Sequence, residues 1–170
     1  RLYVTANRGG AYVSIDALEM RTLFDGTGSN LSVTGNGTAY PSSDYSGSYL
    51  PANAFDANTS TRWNSGNAAA LPQWIKWDFG ASNGQDINHL TIKNTPSEPT
   101  NCHVQTAVLQ YSDDDSAWTD WITVASNPAT ASASTAYRAV DYAALAVALP
   151  LPTVASLAGP RLDVTMPTPT

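Results

Sequence analysis

The sequence predicts an all-β domain, an antiparallel jelly-roll-like sandwich, and three observations carry that reading. Apolar and polar residues alternate in short runs, most clearly over residues 73–79, where Ile75, Trp77 and Phe79 fall on one face and Trp74, Lys76 and Asp78 on the other. Turn residues recur roughly every 8–12 positions. Apolar residues at helical spacing are almost absent. Many short strands punctuated in this way pack as two antiparallel layers around one core.

Each element follows from local pattern. Residues 1–6 alternate, with Leu2 and Val4 opposite Tyr3 and Thr5, and read as a half-buried strand. Arg8-Gly9-Gly10 is a turn, after which residues 12–15 and 18–24 continue in strand-like fashion. From residue 25 to 48 the composition shifts to Gly, Ser, Thr and Asn, which predicts long loops around a short strand at 31–33. Residues 51–56 suit a single helical turn, and 87–93 a further strand. Residues 104–111 and 118–124 flank the acidic turn Ser112-Asp113-Asp114-Asp115-Ser116 and predict a hairpin, since Asp and Ser side chains bond their own turn backbone. Residues 127–135 are small and polar, a loop. The sandwich is expected to span residues 1–142. Residues 143–170 are rich in Ala, Pro and Thr, with Leu149-Pro150-Leu151-Pro152-Thr153 echoed by Met166-Pro167-Thr168-Pro169-Thr170, and read as a linker or the start of a following segment.

Composition narrows the function. The chain of 170 residues is long enough for one sandwich with a real core. Only 13% of residues are charged, so Ser, Thr, Asn and Gln must supply the polar surface, which suits an extracellular or virion-surface protein. The net charge of −6 without a cluster of Lys or Arg argues against a nucleic-acid partner and against polybasic attraction to lipid. Cys102 is the single cysteine, which leaves no internal disulfide and no cysteine-based zinc site; it reads as a small buried thiol. No apolar stretch approaches the roughly 20 residues of a membrane span. The chain lacks an initiating Met and reads as a piece of a longer, oligomeric protein.

Four blocks in compatible order carry a family resemblance. Asn53-Ala54-Phe55-Asp56-Ala57-Asn58-Thr59-Ser60-Thr61-Arg62-Trp63 is followed by Pro72-Gln73-Trp74-Ile75-Lys76-Trp77-Asp78-Phe79-Gly80, and then by Tyr111-Ser112-Asp113-Asp114-Asp115-Ser116-Ala117-Trp118. Ahead of them stand Arg1-Leu2-Tyr3-Val4, Tyr12-Val13-Ser14-Ile15 and Leu18-Glu19-Met20-Arg21. Together they resemble the discoidin, or coagulation factor V/VIII type C, domain, with the strand pair that closes many members placed first. The resemblance implies a galactose-binding-like sandwich whose loops at one end bind a ligand, most often a glycan. It also implies a non-catalytic module of the kind found in secreted enzymes, cell-adhesion proteins and phage tail proteins.

The resemblance further implies a structural Ca²⁺ held by the carbonyls of Asn53 and Asn58, the Asp56 carboxylate and the Thr61 hydroxyl, with Glu19 as the nearest acid to the family's Glu position. Such hard oxygens are what calcium takes. Two departures stand out: Ala57 replaces a glycine, and Ala17 occupies the Glu position. Without metal, Asp56 and Thr61 would simply pin the turn. For glycan contact the aromatic candidates are Tyr40, Tyr45 and Tyr49, set among Ser and Gly in an adaptable loop. The polar candidates are Asn64, which follows the signature Trp, and Asn101, His103 and Gln105 in the segment where members often carry an Arg. Trp63, Trp74, Trp77 and Trp118 read as packing residues and Trp121 as an exposed one. No nucleophile–base pair emerges around His89 or His103. A cell-surface glycan is the expected partner. The alternative is a structural or decoration domain mediating subunit contacts in a virion or surface assembly. Lipid ranks last, because the loops show no cluster of apolar tips.

Overall fold

A computed structural model of the chain describes residues 1–94, 100–125 and 134–138. Ten strands appear in those residues: β1 (Leu2–Asn7), β2 (Ser14–Ile15), β3 (Ala17–Arg21), β4 (Thr38–Pro41), β5 (Trp63–Asn64), β6 (Gln73–Asp78), β7 (His89–Lys93), β8 (Val104–Tyr111), β9 (Thr119–Val124) and β10 (Ser134–Arg138). They form a five-stranded sheet in the order β4-β6-β1-β8-β9, a three-stranded sheet β10-β7-β3 and a two-stranded ladder β2-β5. Every ladder between named strands is antiparallel.

Side-chain alternation decides which face each strand buries. On β6, Gln73, Ile75 and Trp77 are buried while Trp74 and Lys76 are half-buried and Asp78 is exposed, as period two requires. On β1, Leu2 and Val4 point inward; on β9, Ile122 and Val124 do. These side chains meet Leu18, Met20, Leu90 and Ile92 of the smaller sheet in one hydrophobic cluster that also takes in Phe55 and Trp63. That shared cluster makes the two sheets a sandwich.

Several boundaries differ from local expectation. Residues 31–33 do not form a strand. Instead Asn30 makes an isolated bridge to Arg21, and Ser32 Oγ accepts the Met20 N–H at 3.1 Å, so side chains close the edge of β3. Conversely, the Gly- and Asn-rich run around residue 37 delivers β4, which pairs Ala39 with Trp77 along an edge that tolerates Pro41. Residues 134 and 135, expected in a loop, belong to β10, which pairs with β7. Small polar residues there gave no local strand signal. The strand expected at 18–24 stops at Arg21, and that expected at 12–15 shortens to Ser14–Ile15. The helical turn is a 3-10 turn, Pro51–Phe55, and the hairpin of β8 and β9 forms as read. Residues 143–170 lie outside the described residues.

Ala57 sits at φ 59°, in the left-handed region. An L-residue there costs about 1–2 kcal/mol, partly offset in a glycine by its greater freedom when unfolded. Ala57→Gly is therefore expected to stabilise the domain by about 0.5–1 kcal/mol, or about 2 °C in melting temperature by calorimetry.

Candidate functional site

The loop-bearing end of the sandwich lies beyond Asn7, where β1 finishes. Asn7 Nδ2 donates to the carbonyls of Gly10 and Tyr12 at 2.9 and 2.8 Å, shaping the turn into β2. Gly10 donates to the Asn101 carbonyl at 2.9 Å, and a Cβ at Gly10 would stand 2.6 Å from Cys102 Sγ. Only glycine lets these two loops approach so closely.

Strands β2 and β5 then join core to surface. Ile15 pairs with Trp63, and both are fully buried; Ser14 pairs with Asn64, also buried. Trp63 Nε1 donates to the Ser43 carbonyl at 3.2 Å, Gly66 N–H donates to Ser43 Oγ at 2.9 Å, and Ser43 Oγ in turn donates to Gln73 Oε1 at 2.6 Å. Val13 and Ser65 exchange two bonds, each 2.9 Å. Tyr45 N–H donates to the Asn64 carbonyl at 3.0 Å and Asn64 N–H to the Tyr49 carbonyl at 3.4 Å. The tyrosine loop is thus tied to the signature segment through backbone.

That tie gathers an aromatic cluster. The rings of Tyr12 and Tyr45 lie 5.3 Å apart at 67°, and those of Tyr45 and Tyr49 lie 5.8 Å apart at 89°. Both are edge-to-face geometries that aromatic pairs favour. The Arg62 guanidinium stands 5.4 Å from the Tyr49 ring centre. Tyr45 is 43% exposed, so part of the cluster reaches solvent. Sequence reasoning missed Tyr12, because its ring meets Tyr45 only through folding across 33 residues of chain. The Gly-Gly turn just before it was the available signal.

The other expected residues divide. Asn64 and His103 are buried, at 2% and 0% exposure, beneath the cluster, and the backbone of His103 bridges Ser14 in parallel. Asn64 Oδ1 and Ser14 Oγ, on paired residues, find no hydrogen-bond partner among the described residues. Asn101 is exposed beside Gly10, and Gln105 is half-buried at the start of β8. Tyr40 is not part of the cluster. It lies on the outer face of the five-stranded sheet under the Lys76 ammonium, 4.6 Å from its ring centre. Leu50 and Leu71 are 45% and 39% exposed at this end, two apolar tips that the sequence did not single out.

The oxygen ligands expected for calcium also divide. Thr61 Oγ1 lies 2.7 Å from Asp56 Oδ2 and 2.8 Å from the Asn58 carbonyl, so three of the expected oxygens converge. Asn53 lies in the 3-10 turn ahead of this loop, its side chain donating to the Ser48 and Arg62 carbonyls. Glu19 does not fit the set. Its Oε2 accepts from Arg21 at 2.7 Å and its Oε1 from Lys93, on the outer face of β3 and β7. Among the described residues no three His, Cys, Asp or Glu side chains gather, so a cation at loop 56–61 would rest on one carboxylate with amide, hydroxyl and carbonyl oxygens.

Burial pushes the Glu19 carboxyl upward, but the bonds and charges of Lys93 and Arg21 outweigh it and hold the group below its ordinary value. A depressed folded value means that ionised Glu19 stabilises the domain above the unfolded value, about 4.3, and that this contribution disappears as pH falls through the folded one. Glu19→Gln should destabilise the domain by about 1–3 kcal/mol at pH 7. It should also flatten the loss of stability below about pH 4.3, as read from urea unfolding across a pH series.

Comparison with family models matches residues 38–146, more than half of the chain, to the F5/8 type C domain. No curated protein and no solved structure matches. Strands β4 to β10 fall inside the matched span; of the strands that precede it, β1 and β3 complete the five- and three-stranded sheets and β2 pairs with β5. The chain belongs to the F5/8 type C, or discoidin, family, whose domains are binding modules, generally non-catalytic, commonly for carbohydrate or phospholipid, in extracellular or surface proteins.

Proposed function

We propose that this domain is a non-catalytic lectin-like module that recognises cell-surface carbohydrate through its tyrosine loops. The linked rings of Tyr12, Tyr45 and Tyr49 carry this reading. A sugar presents an apolar C–H face and a rim of hydroxyls. The half-exposed Tyr45 ring covers the first, while the tyrosine hydroxyls, Arg62 and Asn101 bond the second. Asn64 and His103 act from below, holding the loops in register rather than meeting the ligand directly. A single shallow site of this kind binds weakly, and display of several copies on an oligomeric surface protein, such as a virion or phage tail, multiplies its avidity.

A second reading has its own observation. The exposed Leu50 and Leu71 could enter a lipid headgroup layer, the other ligand common in the family. A role purely in subunit contacts is the third. A glycan array and vesicle sedimentation with the full chain separate these readings. Array binding that falls at least tenfold in Tyr45→Ala, and persists in Tyr40→Ala, supports the lectin reading. Sedimentation lost in Leu50→Ser replaces it with the lipid one, and silence in both assays moves the function to assembly.

A structural Ca²⁺ at loop 56–61 accompanies this reading, with Asp56, Asn58, Thr61 and the Asn53 carbonyl as ligands and water completing the shell. Millimolar calcium should raise the melting temperature by several degrees, chelator should reverse it, and Asp56→Asn should abolish the difference. Identical melting with calcium and chelator would leave the loop as a hydrogen-bonded turn.

A further inference from the structure

At the opposite end of the sandwich, where β1 begins, the two sheets part around a cleft of about 1030 Å³. Its floor is Met20, Trp77 and Leu109, all buried, and its walls include Tyr111, Trp118 and Trp121. Tyr111 and Trp121 are 49% and 48% exposed and meet edge to face at 5.8 Å. Trp121 is nevertheless fixed, because its indole N–H donates to the Ile87 carbonyl ahead of β7. A large ring clamped in place yet half open to solvent forgoes the burial that usually stabilises such a side chain. It is a preformed contact surface.

The charge of the cleft is one-sided. Asp78, Asp86, Asp113, Asp114 and Asp115 line it against Arg1 and Lys76. Lys76 pairs with Asp115 at 2.6 Å, and the Asp114 carboxylate is occupied by donors from Ser112, Ser116 and Ala117. Asp86 and Asp113 have no ion pair among the described residues. A concave wall of low dielectric with excess negative charge concentrates cations. Its aromatic side already accepts one: the Arg1 guanidinium stands 4.1 Å from the Trp118 ring centre and 5.1 Å from that of Tyr3.

We propose that this cleft binds a quaternary ammonium group, with its methyls against Tyr111 and Trp121 and its charge balanced by Asp86 and Asp113. Such a cation has no N–H to satisfy and sheds water readily, so ring faces and diffuse negative charge suit it better than they suit a primary amine. The site is independent of the tyrosine loops. The group occurs free, as in choline, and on phosphocholine. The acidic rim favours the free form, because a phosphate would add repulsion.

Titrating the full chain with choline chloride while following the Trp121 indole N–H by NMR tests this. The expected result is a saturable shift, unchanged in Tyr45→Ala and severalfold weaker in Asp113→Asn. In Trp121→Ala, read from the Trp118 indole, binding should weaken at least tenfold. The neutral isostere 3,3-dimethylbutanol should give no shift, and acetyl-lysine amide and phosphocholine should bind more weakly than choline. An equal response to the neutral isostere, tighter binding of phosphocholine, or no saturable shift in the folded chain would overturn the proposal.

Discussion

Trp63 is the residue on which the loop-bearing end depends. Its ring is fully buried, and burying so large a side chain contributes about 1.5–3 kcal/mol. Its one polar atom donates to the Ser43 carbonyl, so the same side chain that anchors the core also fixes the start of the tyrosine loop. The next residue, Asn64, holds that loop at two further points through its backbone. Period two makes this possible. Within the two-residue strand β5, one side chain faces the hydrophobic core while its neighbour faces the polar layer under the loops.

The two ends of the sandwich differ because β1 runs through the middle of the larger sheet. It pairs with β6 on one side and β8 on the other, so its finish places the turn at Asn7 among the loops and its start places Arg1 in the cleft. One end gathers tyrosines around Arg62; the other gathers tryptophans with five aspartates. A net charge of −6 is therefore unevenly spread over the molecule. The hairpin of β8 and β9 holds much of that acid, with Asp114 bonded into its own turn and Asp115 drawn to Lys76.

Glu19 shows how a family pattern can mislead at one residue. Its spacing from Ala17 suggests a metal ligand, because residues two apart on a strand share a face. The register of β3 against β7 pairs Ala17 with Lys93, diagonal to Glu19, and supplies a cation where a metal would otherwise be sought. Ala57, by contrast, takes up the left-handed turn of the glycine it replaces, and the oxygens of Asp56, Asn58 and Thr61 converge despite the substitution.

Alternation over residues 73–79, the acidic hairpin and the signature ending in Trp63 are local properties, and each specifies its element without reference to the rest of the chain. They were enough for the all-β class, for most strands and for the tyrosine-rich loop. Strands β4 and β10 were illegible because they are short, lie beside Gly-, Ser- and Asn-rich segments and pair only where β6 and β7 offer an open edge. The meeting of Tyr12 with Tyr45, the removal of Tyr40 to another face, the burial of Asn64 and the aromatic cleft around Trp121 depend on pairings between distant segments. Side-chain exposure is a property of those pairings, and no local pattern encodes it.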